Sequence, residues 1–308
     1  MSSPERLDNI YVIDTKMFGL DKYNAAYLVE GKELALIDTG MPEEIEALHN
    51  GIKAHGFHVS DISHIFVTHC EHPDHSGNAG ALLQENTKAK VYINPIGAEY
   101  LTDPATTGAR FKADVTSGKI ATFEKMVPVP PSRIQYLNDG DVFDLGNGEK
   151  LKAIFAPGHQ PSGIVILEEK NKGLFINDLV GNYFPEADSQ YPLNSEMSDN
   201  IRAIESLKKL IDLPVDYLYL GHYGICDRPR EVMARAIKNM EQCLELGARC
   251  VSEGKPENIG AELYKLVMPE LEKLRPVRGE TLYSYAVEHH MPRHVKFFTA
   301  FCQEKFNK

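Results

Sequence analysis

Four apolar strands in this chain each run into a histidine or an aspartate, and this regularity constrains the fold more than any other feature. HIFVT (64–68) runs into His69, LKAIFA (151–156) into Pro157, Gly158 and His159, GLFIN (173–177) into Asp178, and YLYL (217–220) into Gly221 and His222. A strand that ends in a tight turn is a rigid base from which short side chains can converge on one point. The densest group, VTHCEHPDHSG (67–77), holds His69, Cys70, Glu71, His72, Asp74 and His75. So many ionisable groups cannot be buried together without a cation. Neutral imidazoles suit Zn, Fe, Ni or Mn, and a carboxylate can bridge two ions about 3.5 to 4 Å apart.

Strand signals fall in two clusters, which predicts two groups of β-structure. The first covers 10–13, 25–30, 34–38, 64–68 and 90–94, and the second 134–137, 141–145, 151–156, 163–169, 173–178 and 216–220. Helical spacing at 42–56, behind Pro42, and again at 77–86 and 200–211 predicts helices that cover the sheets. Residues 102–132, interrupted by Pro104, Gly108, Gly118 and the run VPVPP, read as an insertion over a sheet edge, and 181–199 as a long polar loop. From 229 onward the pattern is helical, with Val232, Ala236, Met240, Cys243, Leu244 and Val251 on one stripe and further helices at 257–273 and 283–305. The expected organisation is α/β, with a metal-binding core over 1–228 and a C-terminal helical extension over 229–308 packed on it.

Composition removes several classes of function. Hydrophobic residues at 43% and charged residues at 25% exclude a disordered chain or a membrane protein. A formal net charge of -11 without a basic cluster argues against nucleic acid as a partner. The five cysteines are odd in number and irregularly spaced, as in a reducing compartment. The N-terminal run MSSPERLDNIYVID has no apolar signal region. Together these predict a cytoplasmic protein with a small-molecule substrate, no membrane contact, and helices able to form a homodimer.

The strand-end residues resemble the metallo-β-lactamase superfamily, whose members carry a THxHxDHxG run after a strand, then a Gly-His, a strand-end Asp and a late Gly-His. The resemblance covers roughly residues 10 to 225 and implies a four-layer αββα sandwich with a two-metal site at one edge. It also implies a first metal on His69, His72 and His159, a second on Asp74, His75 and His222, and Asp178 between them. Asp38 in LIDTG matches the family's early acidic turn. An Asp at 178, where true β-lactamases carry Cys, resembles the glyoxalase II and lactonase branches.

One departure lies in the first turn, where two residues, Cys70 and Glu71, separate His69 from His72 in place of one. Counting from the strand makes His69 the first ligand, with Glu71 turned out to solvent. Counting back from His72 makes it Cys70, and Glu71 in an H-x-E arrangement resembles the diiron site of flavodiiron proteins. His49, His55, His58 and His64 read as surface or structural residues without partners. His289, His290 and His294 are left between the substrate cavity and a solvated helix face, and Tyr183, Phe184, Tyr191 and Tyr223 between pocket aromatics and packing under a loop.

The chemistry these residues imply is hydrolysis of an ester, thioester or lactone by a hydroxide bridging two divalent ions, zinc first, with iron or manganese as alternatives. Asp74 is the expected catalytic group, orienting the hydroxide and carrying its proton to the leaving group. The rival functions are an iron-dependent oxidoreductase on the same scaffold, of persulfide dioxygenase or diiron type, and a metal-binding module without turnover.

Overall fold

A computed structural model describes residues 6–105 and 125–307. The centre of the expected 102–132 insertion therefore lies outside the described residues. The first sheet runs in sequence order from β1 (Arg6–Leu7) through β2 (Ile10–Asp14), β3 (Ala25–Glu30), β4 (Leu34–Ile37), β5 (Ile62–Phe66) and β6 (Lys90–Ile93) to β7 (Ile134–Tyr136). The second contains β8 (Val142–Gly146), β9 (Glu149–Phe155), β10 (Ile164–Glu168), β11 (Gly173–Asn177), β14 (Tyr217–Leu220) and β15 (Ile225–Cys226), in the order β15-β14-β11-β10-β9-β8.

Both faces of each sheet are covered, which is why the strands read as nearly continuous apolar runs. In β2, Ile10 and Val12 face the second sheet and join Tyr27, Ile37, Phe66, Ile164, Phe175 and Tyr219 in the core between the sheets. The alternate residues Tyr11 and Ile13 face outward, where α1 (Ile45–Ala54) and α2 (Ala79–Glu85) bury Leu48, Ile52 and Leu82. On the other side, α4 (Asn200–Leu210), which follows the short α3 (Ala98–Thr102), packs with α5 (Pro229–Ser252) through Ile204, Leu207, Val232 and Met233. The layers are therefore α, β, β, α.

Strand direction sets where the site lies. Strands β4 and β5 are parallel, and β9, β11 and β14 also run in one common direction, since β10 is antiparallel to both β9 and β11 while β11 and β14 are parallel. Their C-terminal ends gather at one edge of the sandwich.

The C-terminal helices lie over that edge: α6 (Ile259–Glu272), α7 (Arg275–Tyr285), a π-helical turn (Ala286–His290) and α8 (Met291–Phe306). Val267, Leu271, Tyr283, Ala286 and Met291 pack on Met17, Leu20, Tyr23 and Met41. The helix expected over 283–305 is thus interrupted, and α7 itself contains Gly279 in a non-helical conformation. The polar loop expected at 181–199 contains a hairpin, β12 (Asn182–Phe184) paired with β13 (Ser189–Tyr191). Its six strand residues are all buried, and Gln190 Nε2 donates to the carbonyls of Val180 and Val232, so packing beneath helices orders a segment whose composition reads as loop. Among the described residues, no helix is long and apolar enough to cross a membrane, and all five cysteines are free and buried.

Candidate metal centre

The end of β5 is pinned before the first histidine emerges. Thr68 donates through its N–H (2.8 Å) and hydroxyl (2.9 Å) to the Asp38 carboxylate at the end of β4, and its carbonyl accepts from Ile164 N–H of the opposite sheet (2.9 Å). After β9, Gly158 (φ 151°) lies so close to α4 that a Cβ would stand 2.3 Å from Ala203 Cα; only glycine lets the turn present His159 there.

Seven side chains converge at this edge. His69, Asp74, His75 and Asp178 are all buried and offer donor atoms within 4.8 Å of one another. Asp178 is ringed by three imidazoles: His75 Nε2 at 3.4 Å, His159 Nε2 at 3.4 Å and His222 Nε2 at 3.5 Å. Asp74 Oδ1 lies 2.8 Å from His72 Nδ1 and 3.6 Å from His69 Nε2.

The donor set suits cations and is poorly satisfied by itself. Nε2 of His69, His75 and His222, Asp74 Oδ1 and both carboxylate oxygens of Asp178 are buried and make no hydrogen bond, an arrangement that costs free energy unless an ion completes it. At Gly221 a Cβ would lie 2.5 Å from Asp178 Oδ1, so the glycine keeps the space beside that oxygen open. Burial alone would raise both carboxyls, yet His72 and His75 hold Asp74, and His222 and His75 hold Asp178, well below the usual carboxylate range. Burial likewise opposes charge on His75 and His222, but Asp178 outweighs it and raises both. His159, where burial dominates, is pushed down to about 3.

Surrounding groups fix which nitrogen faces the cluster. His75 Nδ1 lies 2.8 Å from Asp38 Oδ2, and His222 Nδ1 lies 3.0 Å from the Tyr23 carbonyl, so each Nε2 points at Asp178. Asn24 Nδ2 donates to the Asp74 carbonyl (2.7 Å) and steadies the turn.

The anomalous turn places His69 in the cluster and turns Cys70 away. The Cys70 side chain packs towards Gly97 within the core beneath the helices, where burial pushes its thiol well above the ordinary value. Glu71 does not reach solvent, contrary to expectation. It is buried at 2% exposure and accepts hydrogen bonds from the Ser162 N–H (2.7 Å), the Ser162 hydroxyl and the Cys70 N–H (3.1 Å). These donors make the inward position cheaper than the sequence-local view implies, and the extra residue is absorbed by the turn facing away from the cluster.

A cavity opens above the cluster, floored by His72, Asp74, His159 and His222. Met17, Phe18, Leu193 and Tyr285 give it an apolar side, while Asn194, Ser195, His289, His290 and Arg293 give it a polar one. The four aromatics considered for this wall stand elsewhere. Tyr183 packs beneath α5 and accepts from Arg228 (2.5 Å), Phe184 and Tyr191 join the core under the C-terminal helices, and Tyr223 lies between the sheets. His289 and His290 do reach the cavity, whereas His294 is buried against Phe298. The remaining histidines have partners after all: His49 with Glu85 (3.0 Å), His55 with the Val12 carbonyl (3.2 Å), His58 in a capping box and His64 with Glu33 (2.6 Å). Tyr23, Asn194 and Arg293 carried no sequence signal, because only the fold brings them to the strand ends; Asp38 did, through LIDTG.

A family model described as the metallo-beta-lactamase superfamily matches residues 19–222. Putative diflavin flavoprotein A 3 of Nostoc sp. is 27% identical over 223 residues, 67% of this chain and 34% of that protein. Flavo-diiron protein FprA2 of Clostridium acetobutylicum is 30% identical over 165 residues, 53% of this chain and 35% of that protein. The chain thus spans about a third of the length of these curated relatives. In structure it is similar to a metallo-beta-lactamase family protein from Thermus thermophilus, at 22% identity and a TM-score of 0.62 over 88% of this chain and 94% of that one. An archaeal superfamily protein from Sulfolobus tokodaii, also 22% identical, gives 0.60 over 78% and 87%. The two-sheet sandwich, its converging strand ends and the match over most of the length identify the chain as a member of the metallo-beta-lactamase superfamily.

Proposed function

We propose that the protein is a dinuclear metal-dependent hydrolase that cleaves a small ester, thioester or lactone, of the glyoxalase II and lactonase type. His69, His72 and His159 would hold one ion, Asp74, His75 and His222 the other, and Asp178 would lie between them. Two such ions supply a nucleophilic water at neutral pH and stabilise developing negative charge on the substrate. An all-nitrogen-and-oxygen donor set accepts zinc, iron or manganese.

The observation that carries this reading is the choice made by the anomalous turn. His72 faces the cavity beside Asp74, while Glu71, which a diiron site of the H-x-E kind would need, is held by Ser162. Asp74 lies on the cavity floor beside His72, so its carboxylate would stand next to the attacking water, where it could take a proton and pass it to the leaving group. The apolar side of the cavity suits an acyl body, and the polar side can hold a hydrophilic end.

A second reading, a diiron oxidoreductase, is favoured by the names of the flavo-diiron and diflavin relatives. Protein purified without chelator and assayed on lactones, thioesters and phosphodiesters, and for dioxygen uptake with and without a persulfide, separates the two. Hydrolysis abolished by Asp74→Ala supports the hydrolase; dioxygen consumption without hydrolysis supports the oxidoreductase.

A further inference from the structure

Tyr23 is fully buried and held at both ends. Its backbone carbonyl lies 3.0 Å from His222 Nδ1, and its hydroxyl lies 2.7 Å from His290 Nε2 in the π-helical turn. Its ring packs at 5.2 Å from the His222 ring and 5.7 Å from the His290 ring, with Tyr285 edge-on at 5.6 Å. The Tyr23 hydroxyl also lies 3.2 Å from His290 Nδ1, the nitrogen that the Asn182 amide of the hairpin approaches at 3.3 Å. The contacts form one path from the C-terminal helices to an imidazole at the metal centre.

A π-turn is a local insertion in a helix and recurs at functional positions. Here it lies between α7 and α8 and brings His290 onto Tyr23. Were Tyr23 to shift, it would break either its bond to His290 or its bond to His222. Groups that bond the far nitrogen of a ligating histidine fix its ring and commonly change metal affinity when altered.

We propose that His290, acting through Tyr23, is a positioning residue for His222, so that the C-terminal helices set how tightly the second metal position holds its ion. This rests on the ligand assignment proposed above. Asp38 secures the other imidazole assigned to that position, His75, from within the first sheet, and His222 has its support from outside the strand layers.

The test is a zinc titration of chelator-stripped full-length protein against a chromogenic zinc chelator, resolving two dissociation constants. His290→Phe and Tyr23→Phe should each weaken the same one of the two positions about 10- to 100-fold and leave the other unchanged. His290→Gln, which keeps an acceptor for the Tyr23 hydroxyl, should restore both constants towards wild type, as a general loss of packing would not allow. Wild-type constants in both phenylalanine variants, or equal weakening of both positions, overturns the proposal. If wild-type protein takes up only one ion, the ligand assignment itself fails and the proposal falls with it.

Discussion

At the scale of single residues, the first turn decides the site's chemistry. His69 was legible because Thr68 ends a strand whose alternation fixes the next side chain, and a one-residue slip would turn its buried face outward. Glu71 was not legible, because its position depends on Ser162, 91 residues away in sequence. His69→Ala should therefore weaken the proposed first metal position by about 10- to 100-fold or more, since even indirect contacts matter on that scale. Cys70→Ser, at a side chain that packs away from the cluster, should leave two ions bound. Elemental analysis of both variants checks this, and loss of an ion from Cys70→Ser alone would reverse the assignment. Asp74→Ala removes the proposed ligand and the proposed proton carrier together, so steady-state kinetics should show kcat reduced by about a hundredfold or more.

At the scale of elements, strands were easier to anticipate than what covers them. HIFVT, GLFIN and YLYL announce strands through β-branched and aromatic residues, and their endings on His69, Asp178 and His222 announce the site. The C-terminal helices were visible from apolar spacing, but the π-turn was not, since one extra residue leaves that spacing nearly intact. The hairpin at 182–191 has no signal in the sequence because its polar residues are satisfied by distant partners. Gln190 is the clearest case: it is 1% exposed and donates to two buried carbonyls. Gln190→Ala removes both bonds and takes the donor from the buried Val180 carbonyl, which should cost about 1 to 3 kcal/mol. A thermal melt should register a Tm lower by several degrees, and an unchanged Tm would show that the hairpin does not depend on this bridge.

At the scale of the whole molecule, the sandwich carries a second buried acidic site at the edge opposite the candidate metal centre. Glu149 and Glu168 are both fully buried, Asn9 Nδ2 donates to Glu149 Oε2 (2.6 Å), and Tyr219 donates to Glu168 (3.0 Å). Burial raises the Glu149 carboxyl to about 7, with Glu168 adding to the effect. Between its unfolded value of about 4.3 and this folded value, the folded state binds more protons, so this group's contribution to stability declines as pH rises. Glu149→Gln, which keeps an acceptor for Asn9, should shrink the fall in Tm between pH 5 and pH 8; an unchanged fall would place the titration elsewhere. The central claim concerns the opposite edge, where the buried carboxylates Asp74 and Asp178 lie among imidazoles. Its most direct test is to strip the protein of metal, add back zinc, iron(II) or manganese in measured equivalents, and follow hydrolysis of whichever ester, thioester or lactone the protein cleaves. Activity should rise to a plateau at two equivalents per chain, whereas saturation at one equivalent, or hydrolysis undiminished in the stripped protein, would contradict a dinuclear hydrolase.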